Sequence, residues 1–171
     1  MLSKIGGVGA MLAARELGMD FGRIAEGCIN IKPEQSGMLV KKNHLGICVL
    51  DSSYSANPDG VVADLEYLNI WKGRKIIVMP CLIELGKKSA EIHKKLGQKI
   101  GKICDVAIIT TKENFGNIKE GAIYAGMKEK DIVFCDNPED IYSIITLRAA
   151  AGDAVLLEGR VPQKLVDMIS K

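Results

Sequence analysis

What the chain has little of narrows it first. Two histidines and five cysteines (Cys28, Cys48, Cys81, Cys104, Cys135) occur in 171 residues. No two of the cysteines stand at CxxC spacing, so neither a zinc site nor any other metal site is expected. An odd set of thiols, mostly in or beside apolar runs, reads as small buried hydrophobes in a reducing cytoplasm. Aromatics are 5% of the residues and the net charge is +2. With no aromatic-basic interleaving, these argue against a nucleic-acid partner. No apolar run approaches the ~18 residues of a membrane span. The first residues lack the apolar segment and cleavage site of a secretory leader. A cytoplasmic protein without a membrane partner is expected. Two glycine patterns are also missing. There is no GxGxxG after the first strand and no GxxxxGK[ST] anywhere, so the chain has no phosphate-cradling loop of its own. Nor is there a Ser/His/Asp or Cys/His constellation.

What is present suffices for one domain of ordinary size. Its centre is Ile47 to Pro58, where the apolar run Ile47–Leu50 passes into the polar loop Asp51–Asn57. An apolar run without alternation fits a strand covered on both faces. Asn57 is a helix cap, and Pro58 sits at the first helical position, where a missing N–H costs nothing. Ligands of open α/β sheets bind in such loops, at the carboxyl ends of strands, and a helix N-terminus favours anions.

Around this centre the chain alternates. Residues 1 to 31 are helical in character, with Gly18 closing a first helix and Asp20 capping a second. Lys32 to Gly37, with Pro33, reads as a linker. Met38–Lys42 is expected as a short edge strand and Leu45–Leu50 as the first strong one. Helices are expected over Pro58–Trp71, Ser89–Ile103, Asn117–Gly126, Asn137–Ala151 and Val161–Ser170. Strands are expected over Lys75–Met79, Asp105–Thr110, Asp131–Cys135 and Ala154–Glu158. Five strand-helix pairs imply a Rossmann-like, doubly wound, mainly parallel α/β sheet behind a short helical segment.

The polar strand ends carry a resemblance. Asp51-Ser-Ser-Tyr-Ser-Ala-Asn-Pro58 resembles the Asp-Asp-Ser-Tyr-Asn-Ala-Asn-Pro stretch of the Mur ligase family. The likeness is greatest to the branch that adds D-alanyl-D-alanine to a UDP-muramoyl tripeptide. Glu84-Leu85-Gly86 with Ser89 and His93 is similar to the family's Glu-Leu-Gly…Ser…His segment. Gly152 to Arg160 resembles its closing Gly-Asp-x-Val-Leu-x-Lys-Gly-Ser-Arg. The resemblance implies a C-terminal Rossmann-like domain at residues 36–171, after a 1–35 tail of the central ATPase domain plus linker. It implies an ATP-dependent ligase that forms a C–N bond through an acyl phosphate in cell-wall peptide synthesis. ATP and Mg would be held mainly by a central domain on the same or another chain. The partners implied are ATP and an amino-acid or dipeptide substrate. Alone, the chain would not turn over.

By the same resemblance, Asp51, Tyr54, Asn57 and Pro58 are candidates for nucleotide binding. Ser53, Glu84, His93 and Arg160 are candidates for substrate binding, and no residue is assigned a catalytic role. Each has a plainer reading. Asp51 can simply end its strand, Tyr54 can pack on the loop, Asn57 can be only a cap, and Glu84 can pair with Lys87 or Lys88. His93 can be an ordinary solvated or half-buried helix residue. Asp136-Asn137-Pro138 reads as a helix cap only. Two departures stand out. Ser52 replaces the family's second Asp, and Glu158 replaces the Lys of its last motif. They leave the acceptor open between murein peptide, pseudomurein peptide and a nickel-tetrapyrrole coenzyme. The rival reading is a stand-alone binding or regulatory module docking on a separate ATPase chain.

Overall fold

The computed structural model describes residues 10–29 and 37–171. It divides into two units, Met1–Gly37 and Met38–Lys171. In the first unit, residues 10–16 are helical (α1), and Phe21–Ile29 forms α2. Between them Gly18 takes a positive φ of 88°, and the Asp20 carboxylate accepts the Arg23 N–H as expected of a cap. The expected linker lies outside the described residues apart from Gly37.

The second unit is a six-stranded sheet with helices on both faces. In chain order its elements are β1 (Leu39–Lys42), β2 (Cys48–Ser52), α3 (Pro58–Leu68), β3 (Lys75–Met79), α4 (Ser89–Ile103), β4 (Val106–Ile109), α5 (Phe115–Tyr124), β5 (Ile132–Phe134), α6 (Pro138–Arg148), β6 (Ala154–Glu158) and α7 (Gln163–Ile169). The strand order is β1-β2-β6-β3-β4-β5. Only β1 is antiparallel, running against β2 at the edge. The last strand thus sits between the second and third, paired in parallel with both.

The sheet's pleat sorts its apolar residues into two layers. Leu50, Ile77, Met79, Ile109 and Leu156 join α3, α4 and α5 on one face. Val49, Ile76, Val78, Ile108, Val155 and Leu157 join α6 and α7 on the other. Both faces are therefore covered, which explains why these strands read as unbroken apolar runs.

Boundaries differ from the sequence expectation where side chains capture the backbone. The strand expected from Leu45 begins at Cys48, because Asn43 Oδ1 accepts both the Leu45 and Ile47 N–H groups at 3.0 Å and holds a turn there. The strand then continues through Asp51 and Ser52, which the sequence placed in the loop. The helix expected from Asn117 begins at Phe115 after Asn114, and the last helix begins after Pro162 rather than at Val161.

Candidate functional site

The carboxyl ends of the parallel strands gather the polar loops at one edge. A cleft of about 390 Å³ opens there, lined by Ser55, Asn57, Pro58, Cys81, Leu82, Glu84 and Arg160 among others. Three stretches distant in sequence build it: the turn into α3, the segment after β3, and the residue after the Glu158-Gly159 turn. Four of the eight candidates from the sequence, Asn57, Pro58, Glu84 and Arg160, meet in this cleft.

The first wall follows from local chemistry. Asn57 is extended, and its Oδ1 accepts the Gly60 N–H at 2.9 Å. Pro58 opens the helix. The cap leaves the Asn57 side-chain nitrogen without a hydrogen-bond partner among the described residues, and Asn57 lines the cleft. Upstream, the Asp51 carboxylate accepts the Ser53 N–H at 3.1 Å and the Ser53 hydroxyl at 2.6 Å. Asp51 and Ser53 are thus turned toward each other and shape the loop; neither lines the cleft. Tyr54 projects from the same loop and is 69% exposed, so it does not pack against the loop.

The second wall is Cys81–Leu85. Glu84 has φ 62°, a left-handed conformation that is costly for a side chain with a Cβ and that clusters at functional sites. Its carboxylate is exposed and, among the described residues, forms no ion pair with Lys87 or Lys88. His93 supports this wall from behind. It is fully buried, not solvated or half-buried. Its Nε2 accepts the Leu82 N–H at 2.9 Å, which places the ring proton on Nδ1, 2.7 Å from the Ser89 carbonyl. Both ring nitrogens are occupied by the protein, and His93 reaches the cleft only through Leu82. Thr111 Oγ1 also accepts the Cys81 N–H at 2.7 Å, tying this wall to the loop after β4.

The third part is Arg160. Gly159 turns with φ 66°, and a Cβ there would stand 3.0 Å from that of Ala56. Glycine therefore lets the chain pass close to the α3 loop and deliver Arg160 exposed at the cleft. Just before it, Glu158 is buried at the end of β6. Burial first, and then the hydrogen bond and charge of Asp64, push its carboxyl up to about 9.

The cleft holds one guanidinium, one carboxylate, an amide, a hydroxyl and the N-terminal end of an 11-residue helix, beside an apolar strip. It contains no nucleophile with an adjacent base, and its groups suit holding a charged ligand rather than making a bond. Among the described residues, no three His, Cys, Asp or Glu side chains are grouped to hold a metal ion. No described helix is long and apolar enough to cross a membrane. The five cysteines are free, with Cys81 and Cys104 buried.

Sequence reasoning missed Cys81, Leu82 and Ser55 as lining residues, His93 as a support, and Asp64 with Glu158 behind the loop. A charged residue ending an otherwise wholly apolar strand was the one visible signal for the last pair.

Comparison with known proteins bears on this arrangement. A family model described as Mur ligase, glutamate ligase domain, matches residues 38–161. The UDP-N-acetylmuramoyl-tripeptide–D-alanyl-D-alanine ligase of Bacillus subtilis (strain 168) is 22% identical over 147 residues, which cover 85% of this chain and 32% of that protein. The crystal structure of MurF ligase from Thermotoga maritima in complex with ADP superposes with a TM-score of 0.64 at 25% identity, covering 94% of this chain and 36% of that one. MurF from Acinetobacter baumannii gives 0.63 at 19% identity over 92% and 35%, a likeness of fold alone. This chain spans about a third of the length of these relatives.

Proposed function

The chain belongs to the Mur ligase family, and from that membership we propose that it is the nucleotide- and amine-contacting portion of an ATP-dependent amide ligase in cytoplasmic cell-wall peptide synthesis. One observation carries the proposal. Asn57, Pro58, Glu84 and Arg160, drawn from three separate loops, line one cleft at the carboxyl edge of the sheet, where open α/β sheets in general bind ligands. The match to a ligase solved with ADP supports a nucleotide as the class of ligand.

The cleft suits part of a nucleotide. Arg160 and the α3 N-terminus favour a phosphate or a polarised ribose edge. The Asn57 amide and exposed Tyr54 offer a donor and a ring to a base. Glu84 is a carboxylate facing the same space, suited to the ammonium group of an incoming amino acid or dipeptide. In the ligase reaction ATP activates a carboxylate as an acyl phosphate, and the amine displaces phosphate to form the amide. The part of this chain is to bind and orient. The described residues fit a nucleotide edge and do not fit magnesium, so the metal and the terminal phosphates are assigned to ligase sequence beyond this chain. Residues 1–35 are read as the end of the preceding ATPase domain and its linker. The family match begins at residue 38, and Leu12, Leu17 and Phe21 leave apolar surface exposed. On this reading the 171 residues do not turn over alone.

The test is to titrate ADP into the isotope-labelled chain and follow its amide signals. Shifts confined to Tyr54–Gly60, Leu82–Leu85 and Gly159–Arg160 are expected, and Asn57→Ala is expected to weaken them. Shifts centred elsewhere would overturn the assignment.

A further inference from the structure

A cluster the cleft itself does not use lies directly behind its first wall. Ser52 and Glu158 are register partners at the ends of β2 and β6. The Ser52 hydroxyl donates to Asp64 Oδ2 of α3 at 2.5 Å, and the Asp64 carboxylate stands close enough to the Glu158 carboxyl to raise its pKa. Glu158 is 1% exposed, and its Oε2 has no hydrogen-bond partner among the described residues. A buried carboxylate with an empty lone pair beside a second carboxylate is a costly arrangement. A proton held between the two acids relieves both the desolvation and the repulsion.

The cluster joins three elements that carry the cleft. Ser52 ends β2 and leads into the Ser53–Asn57 loop, and the Gly159 N–H donates to the Ser52 carbonyl at 3.1 Å. Asp64 fixes α3, whose first turn is the cleft wall. Glu158 is two residues before Arg160. Among the described residues, Asp64 from α3, Ser52 from β2 and the Gly159 N–H are the polar groups that face Glu158, while β3 ends alongside in Met79 and Pro80 and brings no charge.

We propose that Ser52, Asp64 and Glu158 form a proton-holding latch that fixes the loop between β2 and α3 relative to Arg160. Glu158 is then a positioning residue acting through Ser52 and Asp64. The two departures from the family motif, Ser52 and Glu158, fall on register partners of adjacent strands and are read as one coupled change. The latch bears on ligand binding only through the nucleotide reading above; its own existence does not depend on it.

The sign of its pH dependence is fixed. In the unfolded chain Glu158 loses its proton near the ordinary 4.5, whereas in the folded chain it keeps it up to about 9. Its stabilising contribution is complete at low pH and is lost as pH rises through the folded value.

The test is a carboxyl titration of the whole 171-residue chain with isotope-labelled glutamate. The Glu158 signal is assigned by its loss in Glu158→Gln or, if that variant does not fold, by its displacement in Asp64→Asn. The expected result is a midpoint near 9 for Glu158, lowered by Asp64→Asn, with the Gly159 and Gly60 amides shifting at the same midpoint. A Glu158 signal titrating near 4.5, or amides indifferent to its titration, would overturn the latch. ADP affinity on either side of that midpoint separates the two readings. A titration as expected with no ADP binding at either pH upholds the latch and removes the nucleotide assignment. Binding that weakens above the midpoint upholds both.

Discussion

Two regions of the sheet unit are held by opposite means. Under one face, α4 and α5 meet backbone to backbone. A Cβ on Gly97 would lie 2.1 Å from the Ile118 carbonyl oxygen, and one on Gly121 would lie 2.1 Å from that of Lys94. The approach is reciprocal, and it is sealed by Leu96, Ile100, Ile118 and Ala122. At the carboxyl edge, the cleft is held by single side chains that capture backbone groups: Asn57 on Gly60, His93 on Leu82 and Thr111 on Cys81. The first region has no slack, because interiors packed at crystal density do not yield to an added methyl. The second is built of separable supports, each changeable without dismantling the sheet. The difference separates what holds the sheet unit together from what shapes the candidate site, and it can be broken from either end.

The largest expected effect is at the crossing. In Gly97→Ala the new methyl meets backbone rather than a pliable side chain, so α4 and α5 must move apart. A loss of about 3 kcal/mol, the upper end for over-packing, is expected in urea unfolding. ADP-induced shifts at the cleft should survive in whatever fraction stays folded. Equal damage to both regions would mean that the two are one cooperative unit.

Next comes His93→Ala. It leaves the buried Leu82 N–H without an acceptor and opens a void under the cleft wall, for a loss of about 2 kcal/mol. Hydrogen exchange would speed at Leu82 well beyond the global loss, while the α4–α5 amides would not exceed it. A uniform change would argue that His93 is ordinary core.

Why some of this was legible and some was not follows from range. The strands could be read because each lies between two apolar layers, so burial wrote continuous runs into Ile76–Met79, Val106–Ile109 and Ala154–Leu157. The Asn57-Pro58 helix start was local chemistry. The place of β6 between β2 and β3 was not readable, since no local signal in Ala154–Glu158 says which neighbours it pairs with. That one pairing decides the latch, for it sets Glu158 beside Ser52 and under Asp64. The burial of His93 was hidden for a similar reason. Its partner, the Leu82 N–H, lies 11 residues earlier, and mid-helix among lysines its ring reads as surface. The left-handed backbone of Glu84 was masked because glutamate gives no turn signal of the kind that glycine does.

Glu84 also carries the smallest expected effect and the sharpest separation of the two regions. Holding a residue with a Cβ at φ 62° costs about 1–2 kcal/mol. Replacing it by glycine removes that cost, while the freer unfolded chain takes back roughly 0.5–1 kcal/mol. Glu84→Gly should therefore leave stability unchanged or raise it by at most about 1.5 kcal/mol. The same change removes the carboxylate assigned to the ammonium group of the incoming amine. Amide shifts produced at Leu82–Leu85 by titrated D-alanyl-D-alanine should disappear, while those produced by ADP at Tyr54–Gly60 persist. If the variant kept the dipeptide response, the carboxylate would have no part in recognition, and the left-handed turn would serve only to seat Leu85 and Gly86 ahead of α4. If it lost both responses, the cleft would be a single adaptable pocket rather than two walls with separate tasks.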